Sequence, residues 1–176
     1  YIGIFAAFIV TGVGTVLALV SGYFGGVTDK IITAITNIAM AVPSLPLTVL
    51  LVAYLNPGKW SLIIAISVTA WTGTARILRS RVMQLKELPF IKIEKTMGVH
   101  PVVILFKHIL PNIKDIILTR GAMAISGAMM TEAGLSFLGL GEFGEKSWGS
   151  VLHYAFFRNS IMKKQYWWYV PPIICI

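Results

Sequence analysis

Charged side chains are scarce in this sequence, and acidic side chains are the scarcest. Only 12% of the 176 residues are charged, and 7 acidic residues stand against 15 lysines and arginines. Hydrophobic residues make up 56% of the chain, and the mean hydropathy is +0.79. Soluble domains do not have this composition. The shortage of charge therefore excludes an ordinary soluble domain and predicts a membrane protein.

The groups that serve catalysis or metal binding are also few. A single cysteine, Cys175, cannot form a disulfide framework or a thiolate metal site within one chain. The three histidines lack the spacing of a metal site, and neither a phosphate-binding P-loop nor an HExxH motif is present. We therefore predict no catalytic residues, no metal, no cofactor and no enzymatic activity in this chain.

Long apolar runs fill most of the sequence and predict four membrane-spanning helices, because about 20 apolar residues cross a bilayer. The spans are predicted at 2–20, 31–55, 60–78 and 115–140. We expect the glycines of 21–26 to end the first helix, Asp29 and Lys30 to form an exposed turn, and Pro43 to kink the second span. A loop is predicted over 141–168, and 169–176 predicts the start of another span. The chain opens on Tyr1 without a signal peptide, so we expect a fragment.

Basic residues are concentrated on one side of this arrangement. Nine lie near Lys30 and in the segment 76–114, against five in the two connections of the opposite side. Positive charge favours the cytoplasmic side of a membrane, so 76–114 is predicted to be cytoplasmic and to hold short amphipathic helices. We interpret Arg76, Arg79 and Arg81 as topology anchors, and the net charge of +8 as topology rather than nucleic-acid binding.

One stretch of the cytoplasmic segment carries a specific pattern. Its sequence, FIKIEKTMG at 90–98 followed by HILPN at 108–112, resembles the EAA loop of ABC importer permeases in the spacing of Gly98 and His108 to Asn112. Lys92, Ile93 and Glu94 stand where that family has a Glu-Ala-Ala triplet. The resemblance implies an ATPase-docking loop formed by Ile91, Lys92, Ile93, Glu94, Lys95, Met97, Gly98, His108 and Pro111.

Further segments narrow the resemblance to the C-type subunit of the dipeptide, oligopeptide and nickel permease family. They are SGYFGG at 21–26 with Asp29, AVPSLP at 41–46, EAGLSFLGLG at 132–141, Trp148-Gly149 and Pro171-Pro172. The family implies an all-α fold, a polytopic transmembrane helical bundle of the type I ABC importer (MetI-like) class with a cytoplasmic coupling helix. We expect one permease domain over 1–176, without the amino-terminal span and the end of the last span, and with the coupling loop at 76–114.

The resemblance also implies a function and partners. The chain would form half of a translocation pore for peptides, or for nickel or metal chelates, in a prokaryotic cell membrane that it crosses several times. The implied partners are a second related permease subunit, two ATP-binding subunits and an extracytoplasmic solute-binding protein. No nucleic-acid partner is expected.

Other interpretations of the same residues stay open. A passive channel or an ion-driven carrier would explain the spans but not the pattern from Gly98 to Pro111. A membrane hydrolase would need clustered ligands that the sequence lacks.

Glu132 lies inside the fourth predicted span, where a charge must face protein or water. A pore-lining role and a hydrogen-bonded structural role are equally compatible with its position.

Overall fold

The computed structural model describes residues 1–56, 58–141 and 147–176, and the regular elements in these residues are all helices. The helices are, in chain order, α1 (Ile2–Phe24), α2 (Gly26–Ala41), α3 (Ser44–Leu55), α4 (Lys59–Lys86), α5 (Pro89–Thr96), α6 (Pro101–Val103), α7 (Leu110–Phe137), α8 (Trp148–Phe157) and α9 (Tyr166–Cys175). A π-helical turn, Ile104–Ile109, joins α6 to α7. The fold is all-α, as predicted.

Two of these helices, α1 and α4, are long and apolar enough to cross a membrane. The pair α2 and α3 adds a third span if the two are counted as one broken helix. Val42 and Pro43 both have extended ψ angles, 126° and 124°, so the break falls at the predicted proline. Helix α7 contains most of the fourth predicted span but is not in this group. Its role as a span stays a prediction.

The prediction that the glycines of 21–26 end the first helix at residue 20 is wrong. Helix α1 continues to Phe24, the break falls at Gly25, and α2 starts at Gly26; the φ angles of these two glycines are +68° and +56°. Gly22 lies inside the helix, and a β-carbon there would stand 2.8 Å from the side chain of Val82, so glycine is needed for the close approach of α4. It is a packing residue, and Asp29 lies in the first turn of α2 rather than in an exposed turn.

Two other boundaries also differ from the prediction. Helix α4 continues past residue 78 to Lys86, because no helix breaker occurs before Pro89 and because its core face continues through Val82 and Leu85. The predicted loop over 141–168 contains helix α8. Ser147 starts this helix with a capping box, in which its side chain accepts from the Ser150 N–H and the Ser150 side chain accepts in return.

The chain divides into two compact units. One consists of Tyr1–Ala7, Pro43–Thr69 and Ala124–Ile176, and the other of Phe8–Val42 and Ala70–Met123. The first unit has two small cores, one around Ile63 and Ile66 and one around Leu62 and Leu135. The second has a larger core that joins α1, α4, α5, the π-helical turn and α7. Its buried members include Leu78, Val82, Ile91, Ile104, Ile109 and Ile113.

Candidate functional site

Helix α5 is the element that carries the predicted docking residues, and its ends follow from the sequence. Pro89 occupies the first turn, where its missing N–H is no loss. At the other end Gly98 has a φ of +77°, which favours glycine. The Val99 N–H donates to the Glu94 carbonyl at 3.1 Å and the Gly98 N–H donates to the Lys95 carbonyl at 3.2 Å. This is a Schellman motif, and it fixes an eight-residue helix.

The two faces of α5 differ sharply in exposure. Ile91 is only 2% exposed and belongs to the core of its unit, so it anchors the helix and offers no surface to a partner. Ile93 and Met97 are 58% and 77% exposed. Lys92 and Lys95 are also exposed on the helix. We call the exposed side chains of Lys92, Ile93, Lys95 and Met97 the α5 outer face.

Glu94 lies on the inner side of α5, and its carboxylate contacts His108 of the π-helical turn. The Glu94 Oε1 atom is 3.0 Å from His108 Nε2, and the two side chains are only 24% and 25% exposed. The ring of Phe90 also contacts the His108 ring, with 6.5 Å between the centroids. Glu94 Oε2 is buried without a hydrogen-bond partner in the described residues. The pair therefore ties α5 to the helical segment that follows it.

The π-helical turn is explained by Pro111. Proline has no N–H, and its ring crowds the carbonyl four residues earlier, so a regular α-helix is unfavourable here. The chain widens instead, and the Leu110 N–H donates to the carbonyl of Leu105, five residues back. The Asn112 side chain donates to the His108 carbonyl at 2.6 Å. Pro111 itself is exposed and acts on the site through the position it gives to His108.

Lys92, at the first position of the triplet, pairs with Glu87 in the turn between α4 and α5. The Lys92 Nζ atom lies 2.8 Å from Glu87 Oε2, and both side chains are more than half exposed. The hydrogen bond from Lys92 holds the pKa of the Glu87 carboxyl below its usual value. A lowered carboxyl pKa contributes stability above the unfolded pKa, and this is lost as the pH falls through the folded pKa. For so exposed a pair the contribution is small.

Replacing Glu94 with alanine is expected to loosen α5 without unfolding the protein. The change removes the contact with His108, at a cost of about 1 kcal/mol for a pair that is largely but not fully buried. Hydrogen exchange at the amides of α5 should then be about fivefold faster in the full-length protein. Lys92→Ala, which breaks only the exposed pair with Glu87, is the control and should leave exchange near the wild-type rate. Equal exchange in both variants would contradict a bracing role for Glu94.

Glu132 is a half-buried residue of α7 with a polar partner and a neighbouring cavity. Its Oε1 atom accepts a hydrogen bond from Ser136 Oγ at 2.7 Å. The residue also lines a cavity of about 690 Å³ together with Lys59, Met129 and Trp148. The geometry thus gives Glu132 a hydrogen bond and a place on a cavity wall at the same time.

The structure also contains polar contacts that the sequence does not reveal. Arg79 donates to both carboxylate oxygens of Asp29 at 2.6 Å, and Arg76 donates to Asn37 at 2.7 Å. These arginines, interpreted from the sequence as topology anchors, therefore join α4 to α2. Asp29 and Arg79 are 50 residues apart, and no local pattern marks them as partners.

An all-α chain with two apolar helices of membrane-crossing length is, by class, a membrane protein. Residues 14–175 match the family described as binding-protein-dependent transport system inner membrane component. The chain belongs to this family.

Named relatives support the same assignment. The chain is 40% identical over 152 residues to the oligopeptide transport system permease protein OppC of Bacillus subtilis, a match that covers 86% of this chain and 50% of the relative. It is 35% identical to the dipeptide transport system permease protein DppC of the same organism, over 85% of this chain and 47% of the relative. It is 34% identical to the glutathione transport system permease protein GsiD of Pectobacterium atrosepticum, over 87% and 51%. The chain spans about half the length of these curated relatives.

Proposed function

We propose that this chain is the membrane-crossing part of one permease subunit of an ABC importer in a bacterial inner membrane. The family assignment and the apolar helices support this proposal. In it, residues 1–176 form one permease domain that crosses the bilayer several times, and 76–114 faces the cytoplasm. A second, related permease subunit completes the pore, and an extracytoplasmic binding protein delivers the solute.

The observation that carries the proposal is the construction of α5. A short helix held by a buried isoleucine, a Schellman motif and the pair of Glu94 with His108 presents two exposed apolar side chains, Ile93 and Met97. Exposed apolar side chains on a rigid helix are suited to a groove on a partner. We propose that the groove belongs to one of two ATP-binding subunits, and that ATP-driven movement of that subunit reaches the permease helices through α5.

Peptides are the solutes we propose for this importer. The similar proteins of Bacillus subtilis and Pectobacterium atrosepticum are named for the transport of oligopeptides, dipeptides and glutathione. Those names favour peptides over nickel or a metal chelate, the second class suggested by the sequence.

The test is co-purification of the full-length protein with its second permease subunit and candidate ATP-binding subunits. The double variant Ile93→Asp/Met97→Asp places two charges on the α5 outer face and should reduce recovery of the ATP-binding subunit about tenfold or more. Val27→Asp is the matched control, because Val27 is 72% exposed in α2 and a carboxylate is tolerated in the first turn of a helix. This control should retain the ATP-binding subunit.

The same experiment separates the importer from a passive channel or an ion-driven carrier. If the wild-type protein associates with no ATP-binding subunit, and solute uptake proceeds without ATP, the importer proposal fails. If the subunit is retained equally by wild type and by the double variant, the importer remains but docking through α5 is wrong.

A further inference from the structure

Arg120 of α7 is a cation without an acidic partner in the described residues. Its nearest polar contact runs from Nη1 to the Sδ atom of Met123, at 3.7 Å, and a thioether is a weak acceptor. Its Nε atom is buried and has no acceptor within residues 1–56, 58–141 and 147–176. The acidic residue nearest in sequence on α7, Asp115, lies five positions earlier and so projects about 140° away around the helix.

The surroundings of Arg120 add a second unsatisfied donor. The guanidinium lies against α4, since a β-carbon added at Gly73 would be in ordinary van der Waals contact with Nη2, at 3.5 Å. On the α1 side, the Thr11 Oγ1 atom is buried without a partner in the described part of the chain, and it lies next to Gly121. Arg120 Nε and Thr11 Oγ1 thus bring N–H and O–H donors to the place where α1, α4 and α7 meet, and neither atom finds an acceptor among the described residues.

Physical chemistry requires that such a charge be compensated. Arg120 lies within the fourth predicted span, and an unpaired charge facing lipid is strongly unfavourable. The planar guanidinium can donate two parallel hydrogen bonds to the two oxygens of a carboxylate or to two oxygens of a phosphate. Among biological anions, these two groups match its geometry best. The contact from Nη1 to Met123 is exposed, and Met123 itself is 58% exposed, so a group from outside the chain can approach the guanidinium from this side.

We propose that Arg120, assisted by the Thr11 hydroxyl, binds the carboxyl-terminal carboxylate of a peptide during transport. The inference rests on the proposed importer function and names one residue that recognises its solute. Every unblocked peptide carries this carboxylate, ionised at neutral pH whatever its sequence. One fixed guanidinium can therefore serve peptides that share no side chain.

The test compares one peptide with a free carboxyl terminus and the same peptide with a terminal amide. The complete importer is reconstituted in proteoliposomes, and ATP-dependent uptake of both peptides is measured for wild type, Arg120→Gln and Arg120→Lys. The affinity of the binding protein for both peptides is measured separately, so that its own preference can be divided out. Wild type should prefer the free carboxylate by about tenfold beyond the preference of the binding protein.

Arg120→Gln should remove this excess preference, and Arg120→Lys should keep part of it. Arg76→Gln is the matched control, because it removes a positive charge of α4 that already has Asn37 as a partner, and it should keep the full preference. If the wild-type importer prefers the free carboxylate no more strongly than the binding protein does, the proposal is overturned. That result does not depend on whether the variants assemble. The proposal is also overturned if Arg120→Gln lowers uptake of both peptides equally. The carboxylate that pairs with Arg120 would then belong to a protein segment and not to the peptide. Absence of ATP-dependent uptake in wild type would instead reject the importer function.

Discussion

Replacing Gly149 with alanine is expected to separate α8 from α7 and to destabilise the protein strongly. A β-carbon at Gly149 would lie 2.8 Å from the Ala133 Cα atom and closer still to the Ala133 carbonyl oxygen. Both atoms belong to the backbone of α7, so no side-chain rotation relieves the overlap. The expected cost is about 3 kcal/mol or more. In a domain of this size, that cost lowers the unfolding temperature by about 10 °C.

The measurement is thermal unfolding of the full-length protein in detergent, followed by size-exclusion chromatography of the material that stays folded. Gly127→Ala is the matched control within α7, because in the described residues no atom outside the helix's own neighbouring backbone lies within 4 Å of an added β-carbon. That change should be neutral, or should stabilise the helix by up to about 1 kcal/mol. Equal unfolding temperatures for Gly149→Ala and Gly127→Ala would show that α8 does not pack closely on α7.

The contrast between these glycines shows why the sequence predicts some boundaries and not others. Glycine can end a helix, as at Gly25 and Gly98, or it can allow another helix to approach, as at Gly22 and Gly149. Only the partner helix distinguishes the two cases. Pro43 is unambiguous because proline breaks a helix through its own covalent structure, without any partner.

Helix α8 escapes prediction for a different reason. The sequence predicts a long loop for its ten residues, in a segment whose three tryptophans favour a position at the membrane interface. Ser147 and Ser150 form a capping box, but serine at the third helical position is a weaker signal than the usual glutamate or glutamine. The start of this helix is therefore encoded in the sequence, but by a weaker signal than the usual capping box.

The candidate docking site also has features that the sequence predicts and features that it does not. The spacing in the sequence is enough to predict a short helix just before Gly98, and α5 lies there. It does not separate Ile91, which is buried, from Ile93, which is exposed, because both residues are isoleucines two positions apart. It also gives no sign that Glu94, which stands at an alanine of the family triplet, pairs with His108. Which residue faces inward depends on the core formed by α1, α4 and α7, and those residues are distant in the sequence.

Breaking the pair of Asp29 with Arg79 is expected to have the next largest effect on stability. Two charge-assisted hydrogen bonds of 2.6 Å join the side chains, which are 17% and 28% exposed, and Thr33 donates to the same carboxylate at 3.3 Å. Asp29→Ala leaves the guanidinium between α2 and α4 without its acceptors. The expected cost is about 2 kcal/mol, between the values for exposed and for buried pairs. The unfolding temperature should fall by about 6 °C.

Asn37→Ala is the control for this prediction, because it removes the exposed hydrogen bond from Arg76 between the same two helices. An exposed contact of this kind contributes little, so this variant should unfold within about 2 °C of wild type. The double variant Asp29→Ala/Arg79→Ala should cost less than the sum of the two single changes, since it leaves no unpaired charge behind. Strict additivity would mean that the pair contributes nothing as a pair. The arginines near the end of α4 would then act as topology anchors alone, as the sequence suggests.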